Sequence, residues 1–295
     1  MIICSRDITL SEKQKLVIVP LGDVHHNAYG FDEKKWHSVL GWIRTTARRK
    51  DRQVLVLLMG DYLDTFSRSE RKSLHFASSQ HESTRVRLEK MITKDMEAFL
   101  RDLGPIAPLI GGVIAGNHTY QFQEAHSGRM VGKTVDAVVA QELNVPFMGI
   151  CGSLVLQLRR PGSSRVQPFK IFLHHGFGRA SSKPASLKQL LDLRTKFPAF
   201  NLYVMGHNHT PVVTVQQGID VRYHPKARAY RMCDVVQGFV RSASFLKGYI
   251  DGEVVDGYQG SYVEEACLSP AGLGVVTANL RWKGHEGGFI LHVQE

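Results

Sequence analysis

The chain has 295 residues, of which 43% are hydrophobic and 22% are charged, which is typical of a globular protein with one large domain or two small ones. Its 37 basic and 27 acidic residues give a formal net charge of +10. This excess favours anionic partners such as nucleic acid, phosphorylated substrates or acidic membranes, although a well-solvated surface explains it equally well.

The sequence shows neither a membrane-spanning segment nor a cysteine pattern typical of disulfides or of zinc sites. The longest apolar run, at 54–59, is too short to cross a bilayer, and Arg6 and Asp7 interrupt the apolar stretch that a signal peptide needs. The four cysteines are scattered and form no CxxC pair. We therefore expect a soluble, cytoplasmic protein without membrane association, and the sequence leaves its oligomeric state open.

The first half of the chain alternates strands and helices. Uninterrupted apolar runs predict buried strands at 15–21, 53–59 and 108–115. Apolar residues at helical spacing predict helices at 32–50, 85–103 and 130–143, the first of them capped by Asp32.

After residue 144 the pattern changes to short strands, at 153–159, 169–174 and 201–206, with one helix at 184–197. A Pro-Gly-Ser-Ser turn at 161–164 predicts a hairpin. Strand–helix alternation followed by strands implies an α/β sandwich of two sheets. Since no linker divides the chain, we predict a single domain over 1–295, with a motif core at 15–217 and a β-rich C-terminal part at 210–295.

Five polar clusters follow apolar runs, each at the predicted C-terminal end of a strand: Asp23 with His25, Asp61 with Asp64, Asn117 with His118, His174 with His175, and His207 with His209. Ligands in α/β sheets bind at the carboxyl ends of strands, so these side chains would meet at one rim. Each cluster alone is often only a turn, but five in this order make coincidence a weak explanation. Carboxylate, imidazole and amide ligands without cysteine suit Mn, Fe, Zn or Ni.

The order D-x-H, G-D-x-x-D, G-N-H, a strand ending in histidine, and G-H-x-H, over residues 22–209, resembles the calcineurin-like metallophosphoesterase superfamily. The resemblance implies a four-layer αββα sandwich, with two mixed β-sheets flanked by helices, and a centre of two divalent metal ions, for which we favour Mn²⁺ over Fe, Zn or Ni. It implies that one ion is held by Asp23, His25, Asp61 and His209. The other ion would be held by Asp61, Asn117, one of His174 and His175, and His207, so that Asp61 bridges both.

The fourth cluster leaves a choice between two histidines. Alternation along a strand puts His174 and His175 on opposite faces, so only one of them can reach the metals. We favour His174, because the last residues of the strand at 169–174 aim at the rim. His175 would then face the substrate or pack beneath the site.

The chemistry fits this metal centre. Two cations about 3.5–4 Å apart can share a hydroxide and clamp the oxygens of an in-line phosphoryl displacement. The resemblance gives His118 the role of protonating the leaving group or stabilising the transition state, with support of the neighbouring ligands as the alternative. Thr65 and Thr119 stand where the protein phosphatases of the superfamily carry an arginine and an acidic residue, which argues against a protein phosphatase.

We therefore expect a metal-dependent hydrolase of phosphate esters that cleaves phosphodiester bonds with a hydroxide bridging the two metals, and a nuclease is one form of this function. Basic segments at 44–52, 67–85 and 222–231 would contact nucleic acid, and the last interleaves Tyr223 and Tyr230 with basic residues. Such segments are also common on ordinary surfaces. The alternatives are a phosphomonoesterase and a non-enzymatic scaffold of the same fold that binds nucleic acid.

Overall fold

The computed structural model describes residues 1–65, 82–123, 125–178, 180, 182–224, 227–249, 254–255, 258–259, 262–265, 267, 270, 272–283 and 289–294. The strands in chain order are β1 (Ile2–Thr9), β2 (Lys15–Leu21), β3 (Arg52–Leu58), β4 (Ile110–Val113), β5 (Cys151–Arg159), β6 (Gln167–His174), β7 (Leu202–Met205), β8 (Val212–His224), β9 (Ala229–Arg241), β10 (Val254–Val255), β11 (Tyr258–Gln259), β12 (Thr277–Trp282) and β13 (Phe289–Gln294). The α-helices are α1 (Glu33–Ala47), α2 (Glu82–Leu103), α3 (Val135–Glu142), α4 (Lys183–Lys196) and α5 (Tyr262–Glu265), and 3₁₀ helices cover Gly104–Leu109 and Ala125–Met130.

Two mixed sheets form the centre of the molecule. The five-stranded sheet has the order β13-β12-β2-β3-β4, in which β2, β3 and β4 are parallel and β12 is antiparallel to both of its neighbours. The six-stranded sheet has the order β1-β5-β6-β7-β9-β8 and also mixes parallel and antiparallel pairs. The antiparallel pairing of β5 with β6 confirms the hairpin predicted around 161–164.

Both faces of the central strands are buried, which explains their uninterrupted apolar sequences. In β2, Leu16 and Ile18 point into the core between the two sheets, whereas Val17 and Val19 point towards the helices α1, α2 and α3. In the other sheet, Phe172 packs against α4 on the outer side. The predicted four-layer αββα sandwich is therefore confirmed.

Local side chains fix the ends of the helices. Asp32 Oδ1 accepts a hydrogen bond from Lys35 N at 3.0 Å and begins α1, as the sequence predicts. Ser182 Oγ accepts from Ala185 N at 3.4 Å at the start of α4. The helix predicted at 130–143 begins only at Val135, after the Thr134 cap. Among the described helices, none is long and apolar enough to cross a membrane.

The sequence pattern does not predict β1, because Arg6 lies on the partly buried side of this strand and interrupts its apolar alternation. The structure shows how the charge is accommodated. Arg6 Nη1 donates to Ile110 O at 3.0 Å, so the guanidinium reaches from the edge of one sheet to the edge of the other. The strand predicted at 108–115 is shortened because Pro105 and Pro108 lie in a preceding 3₁₀ helix.

Candidate metal centre

The predicted site residues lie where five strands end, at one edge of the sandwich between the two sheets. Asp23 and His25 follow β2, Asp61 follows β3, Asn117 and His118 follow β4, and His207 and His209 follow β7. His174 is the last residue of β6, and His175 comes directly after it. The structure brings these loops into contact, since His175 Nδ1 of one sheet donates to Met59 O of the other at 2.8 Å.

One group of candidate ligands contains Asp23, His25 and His209, each of which offers one ligand atom within 4.8 Å of the others. Asp23 is fully buried, and its two carboxylate oxygens both accept from His207 N at 3.0 Å. Ser242 Oγ donates to Asp23 Oδ2 at 3.1 Å. These bonds fix the orientation of the carboxylate towards the two histidines.

A second group contains Asp61, His175 and His207, again with ligand atoms within 4.8 Å of one another. His175 Nε2 lies 3.2 Å from Asp61 Oδ2 and 2.8 Å from Asn117 Oδ1, so the amide of Asn117 faces the same point. The first group holds three of the four ligands predicted for one ion, and the second, with Asn117 beside it, holds residues predicted for the other. The partition into two metal sites and the assignment of Asp61 as the bridge stay predictions.

The fourth cluster requires a correction. The structure places His175, and not the favoured His174, among the candidate ligands. His175 continues the face of Ile171 and Leu173, which points between the sheets, whereas His174 continues the face of Phe172 towards α4. His174 Nδ1 accepts from Gly176 N at 2.8 Å and its ring contacts Phe177. The rim lies between the sheets, so it is the inner face of β6 that places a histidine, His175, beside Asp61.

His118 lies at the solvent side of the site. Its Nδ1 donates to Asp64 Oδ1 at 2.6 Å, and its backbone N donates to Asp61 Oδ1 at 2.8 Å. Asn27 Oδ1 in turn accepts from Asp64 N at 2.6 Å and fixes the loop that carries this carboxylate. His25, Asp64 and His118 form a third group of close ligand atoms. The hydrogen bond to Asp64 fixes the orientation of the His118 imidazole.

The backbone of the site is strained. Positive φ angles occur at five of the candidate ligands: Asp23 (49°), His25 (48°), Asp61 (50°), His207 (78°) and His209 (51°). Residues other than glycine rarely adopt a positive φ, because the conformation is strained and the surrounding structure must impose it. Residues with such strain cluster at functional sites. Only three other non-glycine residues in the described part of the chain share it.

Two glycines allow the loops of the site to pack directly against each other. A Cβ atom at Gly116 would overlap Asp61 Oδ1 and the backbone nitrogen of Asp61. Gly60 has a φ of 96°, and a Cβ there would lie 2.6 Å from His175 Nδ1. The glycines of the G-D and G-N motifs are therefore required by the contact between the loops after β3, β4 and β6.

Burial controls the protonation of the site. Burial, and secondly the neighbouring His175, lower the pKa of His207 to about 4. Burial, and secondly the neighbouring His25, lower the pKa of His209 to about 3. Both imidazoles are therefore neutral at pH 7. Burial raises the pKa of Asp23 to about 6 despite the opposing effect of His175. The hydrogen bond from His118 holds the pKa of Asp64 well below its usual range.

The donor set fits metal ions. His25 is buried and neither of its ring nitrogens forms a hydrogen bond, although Nδ1 lies 3.6 Å from Asp64 Oδ1. This is costly for a buried polar group, and it leaves a ring nitrogen available to a cation. The bond from His175 Nδ1 to Met59 O leaves Nε2 facing two oxygens, and His207 Nε2 donates to Gly178 O at 2.9 Å, which leaves its Nδ1 for a metal. Beside two carboxylates, the neutral imidazoles of His207 and His209 suit Mn, Fe, Zn or Ni. Despite its burial, the Asp61 carboxylate raises the pKa of His175 to about 9, so this ring must lose a proton before it binds a metal.

Sequence reasoning missed the residues that support the site from the end of β9 and from the loop that follows it. Ser244 Oγ donates to Asp23 O at 2.9 Å, and Arg241 Nη1 donates to Gly206 O at 2.8 Å. Beside the site, His26 Nε2 bonds to Asp102 Oδ2 at 3.0 Å, and Trp36 Nε1 donates to the same oxygen. No motif marks these positions, because their partners are distant in the sequence.

The described residues of two basic segments, at 44–52 and 222–231, lie away from the site. The segment at 44–52 spans the end of α1 and the start of β3, at the opposite end of this strand from Asp61. The segment at 222–231 lies around the turn of the β8–β9 hairpin, and β8 begins three residues after His209 and runs 13 residues, or roughly 40 Å, away from it. Most of the segment at 67–85 lies outside the described residues.

No protein-family model matches the chain, and no curated protein matches it. Among solved structures, the chain is similar to a single mutant of Vps29 from Entamoeba histolytica, with 10% identity, a TM-score of 0.31, and coverage of 95% of this chain and 99% of that one. It is also similar to Vacuolar Protein Sorting 29 from Cryptosporidium parvum, with 11% identity, a TM-score of 0.31, and coverage of 96% and 99%. Likeness this distant says nothing about activity, and the function rests on the side chains of this chain.

Proposed function

We propose that the chain is a metal-dependent phosphoesterase that hydrolyses phosphodiester bonds. The observation that carries the proposal is the buried His25, whose ring nitrogens form no hydrogen bond and lie among carboxylates and other imidazoles, with Nδ1 at 3.6 Å from Asp64 Oδ1. A cluster of this kind would be unstable as packing alone, because buried polar groups need partners. The strained backbone at five of the candidate ligands gives independent support.

Two divalent ions would be held by the two groups of side chains. Asp23, His25 and His209 would hold one ion, and His175, His207 and Asn117 would hold the other, with the Asp61 carboxylate shared between them. When bound, the ions would polarise the phosphoryl oxygens and lower the pKa of a water nucleophile towards neutrality. The neutral imidazoles of His207 and His209 require no deprotonation before binding at pH 7.

His118 would act on the leaving group. Its Nδ1 proton is held by the anionic Asp64, which fixes the ring. The side chain of His118 is 25% exposed, and those of His209 and Asp64 are 23% and 39% exposed, so these three residues form the accessible side of the site. A phosphate ester that approaches from this side meets His118 within reach of its leaving-group oxygen.

Phosphomonoesters are the alternative substrate class, and a nuclease remains a form of the proposed diesterase. The described basic segments at 44–52 and 222–231 give the nuclease no support at the site itself, because they lie at other ends of the molecule. A scaffold of the same fold that binds nucleic acid is the non-enzymatic alternative. It has less support, because each ligand position of the motifs carries a residue able to bind metal.

The test is an activity panel on chelator-treated protein with and without Mn²⁺. The substrates are an aryl phosphodiester, an aryl phosphomonoester, single-stranded DNA and duplex DNA. We expect the diester to be hydrolysed only with Mn²⁺, and faster than the monoester. Hydrolysis that persists in excess chelator, or a panel without turnover in which DNA binding survives chelation, would contradict the proposal.

A further inference from the structure

A buried arginine lies beneath the loop that carries His207 and His209. Arg241, at the end of β9, has no exposed surface, and within the described part of the chain it forms no ion pair. Burial lowers its pKa to about 10, so it stays charged at neutral pH. An apolar residue at this place would avoid the desolvation of a charge, so packing alone does not explain an arginine here.

The guanidinium instead connects the loop to α4. Arg241 Nη1 donates to Gly206 O at 2.8 Å, and Nη2 donates to Ser186 O and to Gln189 Oε1, both at 3.2 Å. The Asn208 amide is satisfied when its Oδ1 accepts from Arg241 Nη1 at 3.0 Å and its Nδ2 donates to Gly178 O at 3.2 Å, so the arginine contacts the middle of the loop directly. The planar fork of the guanidinium suits these acceptors, whereas a lysine has no such geometry.

The loop needs support of this kind. His207 and His209 have φ angles of 78° and 51°, and a non-glycine residue keeps such a conformation only when its surroundings impose it. On one side, the Asp23 carboxylate accepts from His207 N at 3.0 Å. On the other side, Arg241 holds the carbonyl of the preceding residue, Gly206.

We propose that Arg241 is a positioning residue of the metal centre, which holds residues 206–209 in the conformation that presents His207 and His209 to metal ions. This inference rests on the proposed metal centre. It adds a determinant of metal affinity on β9, which carries none of the ligands and none of the motifs.

The test measures Mn²⁺ affinity and stoichiometry in Arg241→Lys, Arg241→Met and Gln189→Ala, together with thermal stability of the metal-free proteins. Arg194→Lys is the matched control, because Arg194 on α4 donates to Gln216 Oε1 at 2.6 Å and has no contact with the loop. We expect Arg241→Lys to weaken Mn²⁺ binding about 10–100-fold, as is typical when a residue that orients a ligand is lost. Gln189→Ala should weaken it less, and Arg194→Lys should leave it unchanged.

A merely structural role would lower the melting temperature of metal-free Arg241→Lys but leave the Mn²⁺ affinity of the folded protein unchanged, and this result would overturn the inference. If Arg241→Met does not fold, the Mn²⁺ affinities of Arg241→Lys and Gln189→Ala provide the test.

Failure of the proposed metal centre can be told apart from failure of this inference, because wild-type protein that binds no Mn²⁺ overturns both proposals. Wild-type binding that none of the three variants weakens overturns only this one.

Discussion

Hydrogen bonds to backbone carbonyls decide which nitrogen each histidine presents to the centre. His175 donates through Nδ1 to Met59 O, and His207 donates through Nε2 to Gly178 O. The remaining nitrogen of each ring is then directed towards Asp61. Such bonds fix the tautomer and the orientation of a ligand before the metal arrives.

The first prediction separates the two adjacent histidines. His175→Ala should lose about one bound ion per chain, because it removes one imidazole from a coordination shell. His174→Ala should keep both ions, because His174 points towards α4. Metal content by elemental analysis after Mn²⁺ loading checks this. Loss of an ion from His174→Ala alone would reverse the assignment.

The second prediction compares two carboxylates of one motif. Asp61 is buried beside His175, whereas Asp64 is partly exposed and bonds to His118. Asp61→Asn should therefore lower both metal occupancy and rate. Asp64→Asn should keep the metals and lower the rate about 10–100-fold, because the orientation of His118 is lost. The pair is measured by metal content and turnover of an aryl phosphodiester, and equal occupancy with equal rates in both variants would refute the assignment.

The positions of the candidate ligands could be predicted from the sequence, because each follows an apolar strand in a short motif. The choice of His175 over His174 could not, because it depends on which face of β6 lies between the sheets. Arg241 and Ser242 could not be predicted either, since their partners Gly206 and Asp23 are 35 and 219 positions away.

At the level of elements, the site depends on how closely the strand ends approach each other. The loops after β3 and β4 touch at Gly116, where the carboxylate of Asp61 occupies the space of a side chain. The strands themselves were predictable, because burial on both faces gives uninterrupted apolar runs. β1 was not, because it is an edge strand with a charged residue on its partly buried side.

The third prediction tests this contact with Gly116→Ala. The added methyl group must displace Asp61, so we expect a loss of about 1–3 kcal/mol in the free energy of unfolding and weaker Mn²⁺ binding. Gly41→Ala is the matched control, because Gly41 lies within α1 with no atom near its Cβ position. It should raise stability by about 0.5–1 kcal/mol, as glycine is unfavourable inside a helix. Denaturant unfolding and Mn²⁺ titration measure both effects, and unchanged metal affinity in Gly116→Ala would contradict the account.

On the scale of the whole molecule, the β8–β9 hairpin separates the basic segment at its turn from the metal centre by roughly 40 Å. Arg231 and the edge-to-face rings of Tyr223 and Tyr230 lie at this distal end. The two-sheet architecture was predictable from the order of the elements. The length of this hairpin was not, because apolar residues along it, such as Ile219 and Val221, are exposed and do not mark a buried strand. The prediction of one domain over 1–295 remains a prediction.

The fourth prediction follows from that distance. Arg228→Ala combined with Arg231→Ala should leave the turnover of an aryl phosphodiester unchanged, because neither side chain can reach the substrate phosphate. His118→Ala serves as the comparison and should reduce the same rate about 10²–10⁴-fold, the usual contribution of a general acid. A large loss of rate in the double variant would show that the hairpin turn acts at the site.

The central claim is that the two groups of side chains form one two-metal hydrolytic centre. The most direct measurement titrates chelator-treated protein with Mn²⁺ while bound metal and aryl phosphodiester hydrolysis are followed in the same samples. We predict two ions bound per chain, with the rate rising as the second ion binds and vanishing again on chelation. Protein that binds no Mn²⁺, or a rate that is the same with and without bound metal, would contradict the account.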